Sequence, residues 1–212
     1  MGCGGIARQR SADDWLTLAS SGLSGQDQYS YKGQVDYGFV HSINQSSRNF
    51  NGEVRTHHEY SLNSSTVDPF MLHPSQYLEI VTEEGHNAKM ISAAYEESLN
   101  KYVVKLQISG NQELTTNRWK KIFEQQLNNT AIEFKSMNVG MRKRQEINKL
   151  LHESQQQLHQ ILGTLTVNTE YEIWIDARDA IPLKIIEKAD LKYLRAGKPL
   201  EEYRQTIIAL QH

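Results

Sequence analysis

Cysteine is almost absent from this sequence, and so are long apolar runs and an excess of either charge. The 212 residues include one cysteine, which excludes an intramolecular disulfide and a cysteine-ligated metal centre. No apolar run approaches the roughly 20 residues of a membrane-spanning helix. The 23 Lys and Arg residues are interspersed with 25 Asp and Glu residues. No broad electrostatic field therefore exists to attract nucleic acid or an anionic membrane surface.

Signatures of catalysis and of metal binding are missing as well. The sequence has no Gly-rich phosphate loop, no Gly-x-Ser-x-Gly elbow and no His-Glu-x-x-His motif. His152 and His159 lie one heptad apart without an evident carboxylate partner, so we interpret them as polar helix surface. Four carboxylates that occur in pairs are interpreted as solvated: Glu83, Glu84, Asp176 and Asp179. We expect no enzyme activity, no cofactor and no metal site.

The position of the one cysteine indicates a membrane anchor. Cys3 lies in Met1-Gly2-Cys3-Gly4-Gly5, and a small residue followed by cysteine resembles the end of a bacterial lipoprotein signal. We interpret Cys3 as the lipidation site and residues 1–12 as a flexible tether. The apolar stretch of such a signal peptide is expected to precede the numbered chain.

Two other interpretations of Cys3 stay open. In the first, the cysteine has no role and lies near a disordered terminus. In the second, Met1-Gly2-Cys3 is a eukaryotic site for myristate and palmitate, although Ile6 stands where that pattern has Ser or Thr.

Alternating hydrophobicity predicts a long hairpin near the N-terminus. A short helix comes first, with Ser11 as its N-cap, Trp15 on its apolar side and an end at residues 20–22. Aromatic and aliphatic residues then alternate with polar ones over residues 31–43 and 50–62, which predicts two strands joined by a turn at 44–48. Strands this long must twist and curve, so we expect the sheet to enclose a concavity.

The rest of the chain predicts helices between further strands. A loop over residues 63–76 leads to a helix at 75–84, and strands are expected at 89–95 and 101–109. Two amphipathic stripes follow, from Trp119 to Leu127 and from Ile147 to Leu162. Strands return over 167–175, 183–193 and 202–210. This order predicts an α+β fold whose large curved antiparallel sheet is unclosed, like a half-barrel, with helices covering its concave side.

One segment carries a family resemblance. Tyr171-Glu172-Ile173-Trp174-Ile175-Asp176, a turn, and then Ile181-Pro182-Leu183-Lys184-Ile185 resemble the C-terminal hairpin of LolA-like lipoprotein carriers. Their relatives include RseB-type sensors and the mycobacterial LppX and LprG lipoproteins. Ala180 departs from this pattern, since many relatives have Gly before the Pro. The resemblance implies an unclosed barrel in the bacterial envelope whose apolar cavity holds acyl chains or a hydrophobic partner segment.

These features predict that residues 13–212 form a single LolA-like domain. We expect a non-catalytic, extracytoplasmic lipoprotein, anchored to the membrane through lipidated Cys3, that binds a lipid or acyl chain. Nine residues are expected to face its cavity: Tyr31, Val35, Tyr37, Phe39, Phe50, Val54, Tyr60, Tyr171 and Ile173. The same alternation would arise if these side chains filled a closed core.

The alternative is an envelope sensor or assembly module that binds a protein partner at the sheet edge or along a helix and carries no lipid. One predicted helix also has a basic cluster, formed by Arg142, Lys143 and Arg144 with Lys149 a turn beyond and Glu146 between. These side chains suit phosphate headgroups near an anchoring membrane, or they are ordinary helix surface.

Overall fold

The computed structural model describes residues 10–40, 45–56, 59–64, 70–136 and 140–211. Within these ranges the helices are α1 (Ala12–Ser24), α2 (Pro74–Glu84), α3 (Gln112–Ser136) and α4 (Met141–Thr164). The strands are β1 (Tyr29–Phe39), β2 (Gln45–Thr56), β3 (Glu59–Ser64), β4 (Gly85–Glu96), β5 (Lys101–Gly110), β6 (Thr166–Asp176), β7 (Pro182–Arg195) and β8 (Lys198–Gln211). Cys3 lies outside the described residues, so its lipidation stays a prediction.

The eight strands form one antiparallel sheet in the order β3-β2-β1-β8-β7-β6-β5-β4. Neighbouring strands pair throughout, and β1 at the start of the chain pairs with β8 at its end. In the described part of the chain, the edge strands β3 and β4 do not pair with each other, so the sheet is open. The predicted α+β half-barrel with an unclosed sheet is confirmed.

Period-two alternation decides which side of the sheet is buried. On β6, Val167, Thr169, Tyr171 and Ile173 are buried, while the alternate residues Asn168, Glu170 and Glu172 are more exposed. Their partners on β7 continue the same face, since Val167 pairs with Leu191 and Ile173 with Ile185. We call this side the inner face.

Two groups of buried apolar residues cover the inner face. The first core cluster joins α1 and α2 to the sheet, with Trp15, Tyr77 and Val81 as helix members. The second core cluster joins α3 and α4 to β6 and β7, with members Phe70, Trp119, Leu162, Leu165, Val167, Ala189 and Leu191. Helices therefore cover the inner face in two separate places.

The first hairpin differs from the prediction at two positions. The predicted turn at 44–48 is wrong because Gln45 and Arg48 belong to β2 and pair with Gly38 and Val35. The single strand predicted over 50–62 is also wrong. It is two antiparallel strands, β2 and β3, with Val54 paired to Tyr60. Alternation continues through both strands, and the sequence has no Gly or Pro between them.

Helix α1 starts as predicted but ends later. Ser11 accepts a hydrogen bond from the Asp14 backbone N–H at 3.1 Å, and the Asp14 carboxylate accepts one from the Ser11 N–H at 3.0 Å. The predicted end at residues 20–22 is wrong, since α1 runs through Ser24. Gly22 is a contact residue instead, because a Cβ there would meet the backbone of Ala180.

The amphipathic stripe of α4 covers less of the sheet than predicted. Leu162 is buried and Leu158 partly buried against the sheet, but Leu150, from the same stripe, is 61% exposed. Only the last turns of α4 therefore reach the inner face. A periodic apolar stripe predicts an amphipathic helix, but it does not say how much of the stripe a partner covers.

Candidate functional site

The structure places most of the predicted cavity residues on one buried surface. Six of the nine belong to the first core cluster: Tyr31, Val35, Phe50, Val54, Tyr171 and Ile173. Tyr37 is partly buried against this cluster, whereas Phe39, the last residue of β1, is 42% exposed. Tyr60 lies on β3, and its side chain is outside the described residues.

On β1 and β2, each of two aromatic rings lies over a glycine of the neighbouring strand. Tyr31 pairs with Gly52, and Gly33 pairs with Phe50. A Cβ on Gly33 would overlap the Phe50 ring, and one on Gly52 would overlap the Tyr31 ring. The rings themselves meet edge to face, with centroids 6.4 Å apart. These reciprocal pairs make a dense aromatic surface on β1 and β2.

Side chains from two helices occupy the concavity above this surface. Trp15 and Leu23 come from α1, and Tyr77 and Leu78 come from α2; all four are fully or almost fully buried. The Tyr77 hydroxyl donates to the Phe70 carbonyl at 2.7 Å, which fixes the segment before α2. Most of the predicted cavity is therefore filled by the protein's own side chains.

A pocket of about 300 Å³ remains beside the first core cluster, between α1, α2, β4 and β5. Its apolar wall consists of Leu16, Val81, Ala88 and Ile108. Its polar residues are Asp13, Thr17, Ser20, Ser21, Thr82 and His86. An apolar wall with polar groups beside it suits an amphipathic ligand.

A buried charge network lies between the two core clusters. Arg118 on α3 donates from Nη2 to Glu187 Oε1 at 3.0 Å and to the Tyr171 hydroxyl at 3.2 Å. Its Nε donates to both carboxylate oxygens of Glu84, at 2.9 and 3.1 Å. Thr115 donates to Glu84 at 3.2 Å. This network joins α2, α3, β6 and β7 and interrupts the apolar inner face.

The electrostatics of the network are those of a fixed structural group. Burial alone would lower the pKa of Arg118, but Glu187, Tyr171 and Glu84 raise it above its ordinary value. Burial raises the pKa of Tyr171, and the Glu187 carboxylate raises it further. Arg118 thus stays charged and Tyr171 stays protonated near neutral pH, so neither supplies a proton-transfer group.

Sequence reasoning missed this network and misplaced two carboxylates. Glu84 and Asp176 were interpreted as solvated, and both are buried. Glu84 is held by Arg118, which is 34 residues away, and Asp176 accepts from Lys101 Nζ at 2.6 Å. The available signal was Glu187, a charged residue at an inward position of an otherwise apolar strand face.

The other predicted sites can be placed on the described residues. His152 and His159 are exposed on α4, and His152 hydrogen-bonds to Gln156 at 3.0 Å. In the described part of the chain, no three His, Cys, Asp or Glu side chains come close enough to hold a metal ion. No described helix combines the length and the apolar character that crossing a bilayer requires.

Comparison with known proteins gives two distant similarities. No family model and no curated protein matches the chain. The chain is similar to a LolA superfamily protein from Nitrosomonas europaea, with 8% identity and a TM-score of 0.27, over 96% of this chain and 92% of that one. It is also similar to an S-type phycobiliprotein lyase from Guillardia theta, with 10% identity and a TM-score of 0.28, over 99% and 97%. At these identities and TM-scores, neither similarity shows what this chain does.

Proposed function

We propose that this chain is the non-catalytic domain of a bacterial envelope lipoprotein, tethered through Cys3 to the outer face of a membrane. We further propose that it binds a lipid or acyl chain on the inner face of its sheet. The observation that carries the binding proposal is the pocket beside α1, with its apolar wall of Leu16, Val81 and Ile108. Its volume of about 300 Å³ lies at the lower end of the roughly 300–1,000 Å³ usual for ligand pockets.

Displacement of α1 would enlarge this pocket into the first core cluster. Trp15, Leu16 and Leu23 attach α1 to the cluster. Burying a large apolar side chain contributes about 1.5–3 kcal/mol, and each buried methylene contributes about 0.8 kcal/mol. An acyl chain of about ten methylenes would therefore offset the loss of three or four such side-chain contacts. Helix α1 also follows the proposed tether directly, so it would lie between the anchor and the ligand.

A matched pair of substitutions on β4 tests the binding proposal. Ala88 lines the pocket and is partly buried, whereas the next residue, Lys89, is exposed and points to the other side of the strand. Native mass spectrometry and organic extraction would be applied to the full chain expressed in a bacterial envelope. We expect a stoichiometric acyl species on the wild type and on Lys89→Trp, and its loss from Ala88→Trp at a similar melting temperature. A wild-type chain that is reproducibly empty and takes up no long-chain lipid contradicts the proposal.

Membrane tethering has a separate test. Lipidation of Cys3 predicts that the protein fractionates with membranes and carries a covalent diacylglyceryl mass at its N-terminus, and that Cys3→Ala releases it. Membrane fractionation with intact-mass measurement distinguishes this from the interpretation in which the cysteine has no role.

A second candidate function is a protein-binding sensor or assembly module. It is favoured by the filling of the first core cluster with Trp15, Tyr77 and Leu78, because a filled core leaves less room for a ligand. This function predicts that purified protein carries no lipid. It also predicts that shortening Tyr31 or Phe50 only lowers the free energy of unfolding.

A further inference from the structure

Helices α3 and α4 form a hairpin whose far end lies away from the sheet. Trp119 on α3 and Leu162 on α4 belong to the second core cluster on β6 and β7, and the two helices also contact each other. Among the described residues, none from 124 to 157 belongs to either core cluster. We call residues 130–136 and 140–149 the hairpin tip.

The hairpin tip exposes large apolar side chains. Met141 is 80% exposed, Ile132 is 65% exposed and Phe134 is 38% exposed. Single exposed apolar residues are common on protein surfaces. Ile132 and Phe134 lie on different sides of the last turns of α3, and Met141 begins α4, so the three side chains are distributed around the end of the hairpin. Several exposed apolar side chains at one end of a hairpin indicate contact with another apolar phase.

Three cations follow these apolar side chains at the start of α4. Arg142, Lys143 and Arg144 follow Met141 directly, and all three are exposed. Arg142 makes one long ion pair, 3.7 Å from Glu146, with both side chains largely in water, and such pairs contribute little. The first turn of α4 has no acidic residue. Cations in a first turn oppose the helix dipole, so helix stability does not explain their presence.

We propose that the hairpin tip docks on an anionic lipid surface. Met141, Ile132 and Phe134 would enter the boundary between headgroups and acyl chains, while Arg142, Lys143 and Arg144 would lie near the lipid phosphates. A fluid bilayer with anionic lipids supplies both the apolar phase and the negative charge. This inference goes beyond the proposed function, because it rests on the hairpin tip and requires neither Cys3 nor a bound ligand.

Vesicle flotation of the full, unlipidated chain tests the inference. The protein would carry Cys3→Ala and be mixed with vesicles of equal parts phosphatidylglycerol and phosphatidylcholine, or of phosphatidylcholine alone. The tip variant is Arg142→Gln, Lys143→Gln and Arg144→Gln together. The control variant is Lys188→Gln, Lys192→Gln and Lys198→Gln, which removes the same charge from exposed positions on β7 and β8.

We expect binding to the anionic vesicles, little binding to the neutral ones, and weakening with added salt. The tip variant should lose about a hundredfold in partition coefficient, because each cation near an anionic surface is worth about a factor of five. The control variant should bind nearly as well as the parent chain. Replacing Met141 and Ile132 by Asn should also weaken binding, which attraction by charge alone does not predict.

Four results would overturn the proposal. These are no binding to anionic vesicles, equal loss in the tip and control variants, full binding by the tip variant, and self-association through Met141 in place of vesicle binding. The substituted side chains are exposed, and circular dichroism spectra of every variant would show that the fold is retained. The Cys3→Ala background keeps the outcome separate from the anchoring proposal.

Discussion

Arg118 Nε lies 2.9 Å from one carboxylate oxygen of Glu84 and 3.1 Å from the other, so a bifurcated, charge-assisted hydrogen bond joins α3 to the end of α2. The same guanidinium donates to Glu187 on β7 at 3.0 Å. Two buried carboxylates from different parts of the fold therefore share one cation. Such a group stabilises less than its Coulomb attraction suggests, because all three charges have lost their water.

The Arg118 network predicts a large loss of stability when the cation is removed. Arg118→Met leaves Glu84 and Glu187 buried without their partner, so we expect the free energy of unfolding to fall by about 3–5 kcal/mol. Lys121→Met, at an exposed position of the same helix, should change it by less than about 0.5 kcal/mol. Urea denaturation measures both. A loss at Arg118 no larger than that at Lys121 would show that the network has no structural role.

Asp176 predicts a pH-dependent contribution to stability. Burial opposes its ionisation, but hydrogen bonds from Lys101 and from the Arg178 N–H hold its pKa below the ordinary value of 3.8. Since the folded pKa is the lower one, its contribution is complete above pH 3.8 and is lost as the pH falls through the folded pKa. Asp176→Asn should lower the free energy of unfolding by about 1–3 kcal/mol at neutral pH, and by less in acid. Urea denaturation at a series of pH values measures this difference. If the difference in free energy of unfolding between the wild type and Asp176→Asn stays constant from neutral to acid pH, Asp176 does not make this contribution.

The reciprocal glycine and aromatic pairs predict overpacking on substitution. Gly33→Ala places a methyl group against the Phe50 ring, so we expect a loss of about 1–3 kcal/mol. Combining it with Phe50→Leu should cost less than the two single changes together, which a double-mutant cycle measures. Gly163→Ala is the control. It lies in α4 with open space around its Cβ position, and alanine there should stabilise the protein by about 0.5–1 kcal/mol.

The capping box of α1 predicts local opening of this helix. Ser11→Ala removes the side-chain acceptor for the Asp14 N–H, so we expect a loss of about 0.5–2 kcal/mol in the stability of α1. Hydrogen exchange followed by mass spectrometry should show faster exchange in α1, with β6 and β7 unchanged. Equal acceleration in every element would mean that α1 opens only when the whole domain unfolds. Displacement of α1 by a ligand would then be untenable.

The sheet and the helix order could be predicted from the sequence because both depend on local periodicity. Strands β5, β6 and β7 and the N-cap at Ser11 are such cases. The turn back between β2 and β3 could not be predicted, since alternation continues on both sides of it without a Gly or Pro. The Arg118 network was also missed, because its partners are 34 and 69 residues away and local patterns carry no information on such pairs.

The sequence predicts which residues belong to the candidate site, but it does not predict whether they enclose a cavity. Alternation placed Tyr31, Val35, Phe50 and Val54 on one side of the sheet, and the structure buries all four together. Whether that side of the sheet encloses a cavity depends on which helix side chains pack against it. Trp15 and Tyr77 fill most of it, and their reach across the sheet depends on tertiary packing that periodicity does not encode.

The open ends of the sheet have a consequence for aggregation. An unpaired edge strand is a template on which a strand from another molecule can add, and regular, flat edges are the most hazardous. Strand β4 is irregular, with register shifts between His86 and Lys89 and between Met90 and Ser92, and Asn87 adopts a positive φ of 54°. Strand β3 is short, with six described residues. Both edges are therefore poor templates for fibril growth. The sheet can remain open without favouring the addition of a strand from a second molecule.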